Sequence, residues 1–292
     1  ALAVDAAFGD GATPPRAYLC GCGARGHHPA ACAVGSGTSL LVTPAPRLMA
    51  PPSEPETANP KRTARIAGLL YLVIIVGAGF AQGAVREPLV IAGDAEATAR
   101  GIAGALDLFR LGMVGDLVAF MADTAVTVLL YLLLRPVDRT VALIAAAFRL
   151  VAHPAIAAVN LLNHWLAGLL AAPPAYLEAF TPEQIDGLAL LAMELHGYGY
   201  LLGGAFFGVH LVLLGWLMVQ SERFPGWLGA LLAVAGVTYL AETFAHFGLP
   251  AAAGAASMAV VVAASIAELT LCGWLIARGL RTAETGDFIA RV

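Results

Sequence analysis

Histidine, carboxylate and amide side chains lie within long apolar stretches of this chain, where ionisable groups are rare and costly. Counting along the predicted helices places seven of them at a similar depth, towards the predicted outer side of the membrane. They are Asp116, Asn160, Asn163, His164, His196, Glu242 and His246. Imidazole and carboxylate groups are the ligands of catalytic zinc, which keeps a further position for water. The predicted metal ligands, with zinc as the candidate ion, are His164, His196, Glu242 and His246.

The spacing of these residues leaves three interpretations open. Glu242 and His246 are one helical turn apart, but the sequence has no His-Glu-x-x-His motif. The same side chains are also suited to line a pocket for a small polar ligand, or to form hydrogen bonds between helices. The sequence therefore predicts an outward-facing polar pocket, with a metal site inside it as one alternative.

A second set of ionisable residues is predicted deeper in the membrane, towards the opposite side: Asp123, Arg149, His210 and Glu268. Asp123 and Arg149 are 12 and 10 residues from the two ends of the short turn 135–139, so they meet at similar depth across a helical hairpin. We predict an ion pair between these two side chains. This pattern is compatible with a structural pair, in which each charge neutralises the other. It is also compatible with a proton or ion relay.

Six apolar segments carry these residues, and each is long enough to cross a hydrocarbon core of about 30 Å as a helix. The predicted segments are Ala64 to Ala84, Asp107 to Leu134, Thr140 to Ala172, Leu188 to Val219, Trp227 to Phe247 and Ala252 to Ala277. Hydrophobic residues make up 59% of the chain and charged residues 12%, which excludes a soluble domain. We therefore predict an all-α, polytopic transmembrane helical bundle. Polar residues follow one face of each of the last five segments, whereas the first is nearly free of them and is predicted to pack at the periphery.

The distribution of basic residues predicts the orientation. One set of segment ends carries most of them: Lys61, Arg62, Arg65, Arg135, Arg139, Arg223, Arg278 and Arg281. On the opposite side, the connections carry only Arg86 and Arg100. The positive-inside rule therefore places both termini in the cytoplasm. In the loop before the fourth segment, Thr181 and Pro182 are typical of a helix N-cap and a first helical residue, so that helix is expected to begin there.

The residues before and after the six segments are predicted to be separate from the membrane domain, which spans residues 61–282. Residues 1–60 are rich in Ala, Gly and Pro and lack hydrophobic periodicity, so we predict a disordered segment, with Met49 as the natural start. Residues 283–292 are a predicted cytoplasmic tail. The net charge of −4 and the lack of a basic tract exclude a nucleic-acid partner. Membrane lipids and a small-molecule ligand are the expected partners.

Several motifs in the second to fourth segments resemble one known family. They are FRLGMVGDLVAF from Phe109, LLYLLLRPVDR from Leu129, FRLV from Phe148 and ELHGYGYLLGGAFFGVHLVLLGW from Glu194. Together they resemble bacterial integral membrane proteins of domain-of-unknown-function family 4386. The resemblance implies a multi-pass helical protein of the bacterial inner (cytoplasmic) membrane, and it implies no particular activity. The residues that match the family pattern are Arg110, Asp116, Asp123, Arg135, Arg149, Glu194, His196 and His210.

Three functions fit these features. The leading hypothesis is the binding or transport of a small ligand or ion through the outward-facing pocket. The second is a membrane-embedded, metal-dependent hydrolase or transferase that acts on lipid, with Glu242 as the base. The third is a non-catalytic membrane scaffold. Whether the protein is an enzyme stays open at this point.

Overall fold

The computed structural model of the protein describes residues 59–280, and this part of the chain contains helices and no strands. The predicted disordered segment 1–60, with the start at Met49, lies almost entirely outside the described residues, as does the predicted tail 283–292. Within the described part, the all-α prediction is confirmed.

Six helices of residues 59–280 are long and apolar enough to cross a membrane, as predicted. With one shorter helix, α2, they are α1 Pro60–Leu89, α2 Ala95–Gly104, α3 Leu106–Leu134, α4 Arg139–Ala171, α5 Pro182–Gln220, α6 Gly226–Gly248 and α7 Pro250–Ala277. We call the end of the bundle with connections 90–105 and 172–181 the long-loop end. The end with turns 135–138 and 221–225 is the short-loop end.

The helix α1 changes its hydrogen-bonding pattern near the long-loop end. It is α-helical over Pro60–Gly79, π-helical over Phe80–Arg86 and α-helical again over Glu87–Leu89. The predicted span ended at Ala84, which left Arg86 in a loop. In the structure, Arg86 is part of the helix and is buried. Short π-helical segments recur at functional sites because they re-aim side chains.

The connection from α1 to α3 is also more ordered than predicted. It contains α2, which begins at Asp94, whose carboxylate accepts a hydrogen bond from the Ala97 N–H at 2.9 Å. An aspartate at this position satisfies an N–H group that has no partner inside the helix. The helix buries Ile102 and packs against α4 and α5, so it covers one side of the long-loop end.

The helix α5 begins where the sequence predicted. Thr181 and Gln184 form a reciprocal capping box, and Pro182 is the first helical residue. The helix has 39 residues and is therefore about 58 Å long. Because this is about twice the thickness of a hydrocarbon core, α5 must extend beyond the membrane.

The six spanning helices form a closed ring. Each helix packs against the next one along the chain, and α7 packs back against α1. The prediction that the first span is peripheral is therefore wrong: Tyr71 on α1 is 0% exposed and points into the bundle. Leucine-rich packing fills the short-loop end, for example at Leu133, Leu217 and Leu228. The polar groups lie in the middle of the ring and towards the long-loop end.

Candidate functional site

Three potential metal ligands converge near the long-loop end, which we call the triad: Asp116 on α3, His164 on α4 and His196 on α5. One atom from each side chain lies within 4.8 Å of the corresponding atoms of the other two. The side chains are almost completely buried, with exposures of 1%, 1% and 2%. Among the described residues, these three form the one group of His, Cys, Asp or Glu side chains whose ligand atoms are close enough to hold a metal ion.

Hydrogen bonds to backbone carbonyls hold both imidazoles of the triad. The His164 Nε2–H donates to the carbonyl oxygen of Phe109 at 2.8 Å, and the His196 Nδ1–H donates to that of Asn160 at 2.8 Å. A carbonyl oxygen can only accept, so each contact fixes which ring nitrogen carries the hydrogen. The other nitrogen, Nδ1 of His164 and Nε2 of His196, is left as an acceptor.

These free nitrogens have no hydrogen-bond donor among the described residues, and neither does Oδ1 of Asp116. A buried polar atom without a partner costs about 1–3 kcal/mol. Three such atoms on side chains that converge at one place are unusual, because nearly all buried polar groups in proteins are paired. All three are electron-pair donors, so a cation satisfies them together.

The second oxygen of Asp116 forms an ion pair with Arg86. Arg86 also donates from Nε to the side-chain oxygen of Gln82 at 2.9 Å, and its guanidinium lies 5.7 Å from the centre of the Tyr200 ring. The Tyr200 hydroxyl is close to both charged groups. Arg86 therefore orients the carboxylate and neutralises it in part, while Oδ1 remains available.

The other residues predicted for the outward pocket have different surroundings. The side chain of Asn160 is fully buried and packs against Gly199 without a hydrogen-bond partner among the described residues. Asn163 is half-buried on α4. Glu242 lines a cavity that His196 also lines, but it is not part of the triad.

Of the predicted metal ligands, His164 and His196 lie together, and the residue grouped with them is Asp116 rather than Glu242 or His246. His246 instead packs edge-on against the ring of Tyr198, with 5.7 Å between ring centres. Tyr198 is two residues after His196 and so lies about 200° around α5 from it. His246 is thus directed away from the triad.

The deeper ionisable residues form a second cluster. Arg149 donates from Nε to Oδ1 of Asp123 at 2.9 Å, so the two side chains predicted to pair across the hairpin do contact each other. His153 contacts the other oxygen of Asp123 at 2.9 Å. His210 donates from Nδ1 to the Ala145 carbonyl at 2.8 Å, and its Nε2 lies 3.2 Å from Nη1 of Arg149.

Glu268 on α7 completes this deeper cluster. Its two oxygens accept hydrogen bonds from the hydroxyls of Tyr71 at 3.1 Å and Tyr239 at 3.2 Å. It is near Arg149, but no salt bridge within 4.0 Å joins the two side chains. The carboxylate is therefore held by neutral donors from α1 and α6.

Sequence reasoning missed Arg86 and Tyr71 as members of these clusters. The observation that points to Arg86 is the charge of Asp116. Asp116 lies inside a predicted span, and the sequence pattern predicts no positively charged partner for it. An ionisable group in a membrane requires a partner, and Arg86 ends the neighbouring helix at a similar depth. Tyr71 had no such signal, because a tyrosine in a span is equally typical of an interfacial anchor.

A closed ring of apolar helices with ionisable side chains directed inward defines a multi-pass membrane protein. The chain belongs to the family described as Domain of unknown function (DUF4386), whose family model matches residues 66–279. It is also similar to an uncharacterized protein of Archaeoglobus fulgidus, with 28% identity over 173 residues, which cover 59% of this chain and 86% of that protein. No solved structure matches the chain.

Proposed function

We propose that this protein binds a divalent transition-metal ion of the zinc class inside the membrane, at Asp116, His164 and His196, and that it acts in ion binding and transport through its polar pocket. The observation that carries this proposal is the convergence of three buried ligand side chains, each of which has a polar atom without a hydrogen-bond partner among the described residues. Two imidazole nitrogens and a carboxylate oxygen are a donor set that zinc prefers.

The ligand types favour a transition metal over Ca²⁺ or Mg²⁺. The latter two prefer sites made of oxygen atoms, whereas imidazole nitrogen suits Zn²⁺, Fe²⁺, Ni²⁺ and Cu²⁺. The hydrogen bonds from His164 and His196 to backbone carbonyls are the type that orients metal-binding imidazoles in other proteins. Three protein ligands leave a coordination position for a water molecule or substrate, unlike the four of a structural zinc site.

An open cavity supports the exchange of an ion at this site. The cavity has a volume of about 680 Å³, and its wall includes His196, Arg86, Glu87 and Glu242. Two carboxylates at the wall favour the approach of a cation, and Arg86 is already engaged by Asp116. Of the triad, only His196 lines this cavity, so it offers a route to one side of the site, which favours an ion that is transported or takes part in chemistry.

The metal content of the purified protein tests the proposal. Protein in detergent is incubated with Zn²⁺, freed of excess metal and analysed by mass spectrometry of the elements. We expect about one Zn²⁺ per chain, and at least a tenfold loss of affinity in His164→Gln and His196→Gln, because each ligand contributes strongly to metal binding. Glutamine retains an N–H donor for the backbone carbonyl that each histidine contacts.

His246→Gln is the matched control, because His246 is a histidine of the same bundle that lies outside the triad. It is expected to keep the full zinc content. Zinc below about a tenth of the protein concentration in the wild type, or an equal loss in the control, would refute the metal site. Size-exclusion profiles identify any variant that fails to fold.

A second candidate function is a metal-dependent hydrolase or transferase that acts on lipid. It is favoured by Glu242, a carboxylate that lines the same open cavity as His196 and would serve as the general base. The cavity wall also contains apolar side chains such as Met193 and Val261, which suit an acyl chain. Zinc-loaded protein is expected to release product from a panel of phospholipids, and Glu242→Gln to abolish release while zinc stays bound.

The setting that we propose is the inner membrane of a bacterium, with both termini in the cytoplasm. The basic residues at the short-loop end, including Arg135, Arg139 and Arg223, support this orientation. The long-loop end and the triad then lie towards the outer side. A non-catalytic scaffold is the function that remains if neither a metal nor a ligand binds.

A further inference from the structure

A cavity of about 200 Å³ lies at the centre of the helix ring. Every one of the six spanning helices contributes to its wall, for example Ile74 of α1, Phe120 of α3 and Ile156 of α4. An engineered cavity of about 150 Å³ in another protein holds a benzene molecule. The central cavity therefore has room for a small organic molecule, which is more than a single metal ion requires.

Within the described part of the chain, one carboxylate at the wall of this cavity has no arginine in contact with it. Three carboxylates line it, those of Asp116, Asp123 and Glu268. Asp116 is paired with Arg86 and Asp123 with Arg149, whereas Glu268 accepts its two hydrogen bonds from tyrosine hydroxyls. Among the described residues no cation lies within salt-bridge distance of Glu268.

Each nitrogen of the Arg149 guanidinium contacts another side chain. Its Nε and Nη2 contact Asp123, and its Nη1 contacts His210. The charge of Arg149 is therefore directed mainly at Asp123, and it acts on Glu268 only from beyond salt-bridge distance. Glu268 is a half-buried carboxylate at the cavity wall that no arginine of the described residues contacts directly.

Aromatic side chains form much of the remaining wall: Phe120, Tyr200, Phe207 and Tyr239. The faces of aromatic rings attract cations, and such rings bind organic ammonium groups in many proteins. Two of these rings already have a guanidinium group above them, Arg149 at 4.9 Å from the centre of Phe207 and Arg86 at 5.7 Å from that of Tyr200. The wall is thus suited to a cation with an apolar surface.

We propose that the central cavity binds a small organic monocation of the amine class, with its ammonium group on Glu268 and its hydrocarbon part against the aromatic wall. This site shares the wall residue Asp116 with the triad, but its charged anchor, Glu268, is not one of the triad's ligands. Tyr200 and Tyr239 line both the central cavity and the open one, so the ligand enters between these two side chains.

Two probes of the same shape and different charge test the proposal. Binding of tert-butylammonium chloride and of neutral tert-butanol to the full-length protein in detergent is measured by isothermal titration calorimetry. We expect the ammonium probe to bind and the alcohol to bind at least about tenfold more weakly, because the alcohol has no charge to pair with the carboxylate.

Two variants locate the binding site. Glu268→Gln keeps an oxygen for the tyrosine hydroxyls and removes the charge, so it is expected to weaken ammonium binding at least about tenfold. Gly203→Leu fills the cavity and leaves Glu268 unchanged; an added Cβ there meets Ile156 at 3.4 Å, an ordinary contact. It is expected to abolish binding.

Glu183→Gln is the control, because Glu183 is an exposed carboxylate of α5 that lines neither the central nor the open cavity. It is expected to bind the ammonium probe as the wild type does. Equal affinity for both probes, no binding of either, or wild-type affinity in a folded Gly203→Leu protein would overturn the proposal. The zinc content of the same samples shows whether the triad binds metal, independently of whether the central cavity binds the ammonium probe.

Discussion

At the scale of single residues, the free ring nitrogens of His164 and His196 matter more than the presence of two histidines. Each imidazole donates one N–H to a backbone carbonyl and has a second nitrogen without a hydrogen-bond partner among the described residues. A buried histidine that used both nitrogens in hydrogen bonds would have no capacity for a metal. His210 is such a case, since its Nδ1 contacts the Ala145 carbonyl and its Nε2 lies against Arg149.

The Arg149–Asp123 pair allows a prediction about stability. Arg149→Met retains much of the side-chain volume but leaves Asp123 buried beside His153 without its main counter-charge. We expect a loss of about 3–5 kcal/mol in the free energy of unfolding, because removing one partner of a buried pair strands the other charge. The measurement is a denaturant titration in mixed micelles.

A double variant and an exposed arginine serve as controls for this prediction. Asp123→Asn combined with Arg149→Met removes both charges and is expected to cost less than Arg149→Met alone. Arg110→Met breaks an exposed pair with Asp107 and is expected to change stability by less than about 1 kcal/mol. Additive losses in the double variant would contradict the assignment of a buried charge pair.

Sequence reasoning was most accurate where a short turn fixes the geometry. Asp123 and Arg149 lie on two helices joined by a few residues, so counting from the turn gave their relative depth. The positions of Glu242 and His246 relative to the triad could not be predicted in this way, because the rotation of α6 about its axis depends on packing with α5. Depth can be counted along a helix, whereas the direction of a side chain depends on contacts that are distant in sequence.

At the scale of helices, α1 is longer than the predicted first span. A hydrophobic segment is predicted to end near its first charged residue, so the predicted span stops before Arg86. The π-helical segment Phe80–Arg86 instead continues the helix and turns that arginine inward to Asp116. The free-energy cost of burying Arg86 is offset by its pairing with Asp116. Neither residue alone indicates that Arg86 belongs to the helix.

Close packing of α5 against α6 depends on glycine, which gives a second prediction. A Cβ added at Gly208 would lie 2.7 Å from the carbonyl oxygen of Gly236 and 3.0 Å from Leu240. Gly208→Ala must therefore push the two helices apart, and we expect a loss of about 1–3 kcal/mol in the free energy of unfolding. The same denaturant titration measures it.

Gly273→Ala is the matched control for the glycine prediction. Gly273 is a helical residue of α7, and a Cβ there would meet no atom within 4 Å. The substitution is expected to leave stability unchanged or to raise it by up to about 1 kcal/mol, because alanine favours helix. A loss as large as that of Gly208→Ala would show that the effect does not come from the α5–α6 contact.

At the scale of the whole molecule, the protein is apolar outside and polar inside. Large hydrophobic side chains face away from the bundle, among them Leu69, Val76, Met121, Val151, Leu162 and Val261. In a membrane these contact lipid chains, so the ring is held together by helix packing and by its inner polar contacts. The composition alone predicts that lipid surrounds the protein and that its fold is helical. It did not predict the closed ring, which arises from α7 packing on α1.

The orientation of the ring in the membrane gives a third prediction. In a protein without its native cysteines, Glu178→Cys places a thiol at the long-loop end and Glu222→Cys places one at the short-loop end, both at exposed positions. A thiol reagent that does not cross membranes is expected to label Glu178→Cys in intact bacterial cells, and Glu222→Cys only after permeabilisation. The reverse pattern would contradict the proposed orientation.

X-ray absorption spectroscopy at the zinc edge tests most directly whether the triad binds zinc. For the zinc-loaded protein we expect a first shell of nitrogen and oxygen at about 2.0–2.2 Å, with the scattering pattern of two imidazoles and no sulfur. His196→Gln should lose one imidazole or the zinc itself, while His246→Gln should give the wild-type spectrum. A sulfur ligand, or an unchanged spectrum in His196→Gln, would contradict the site.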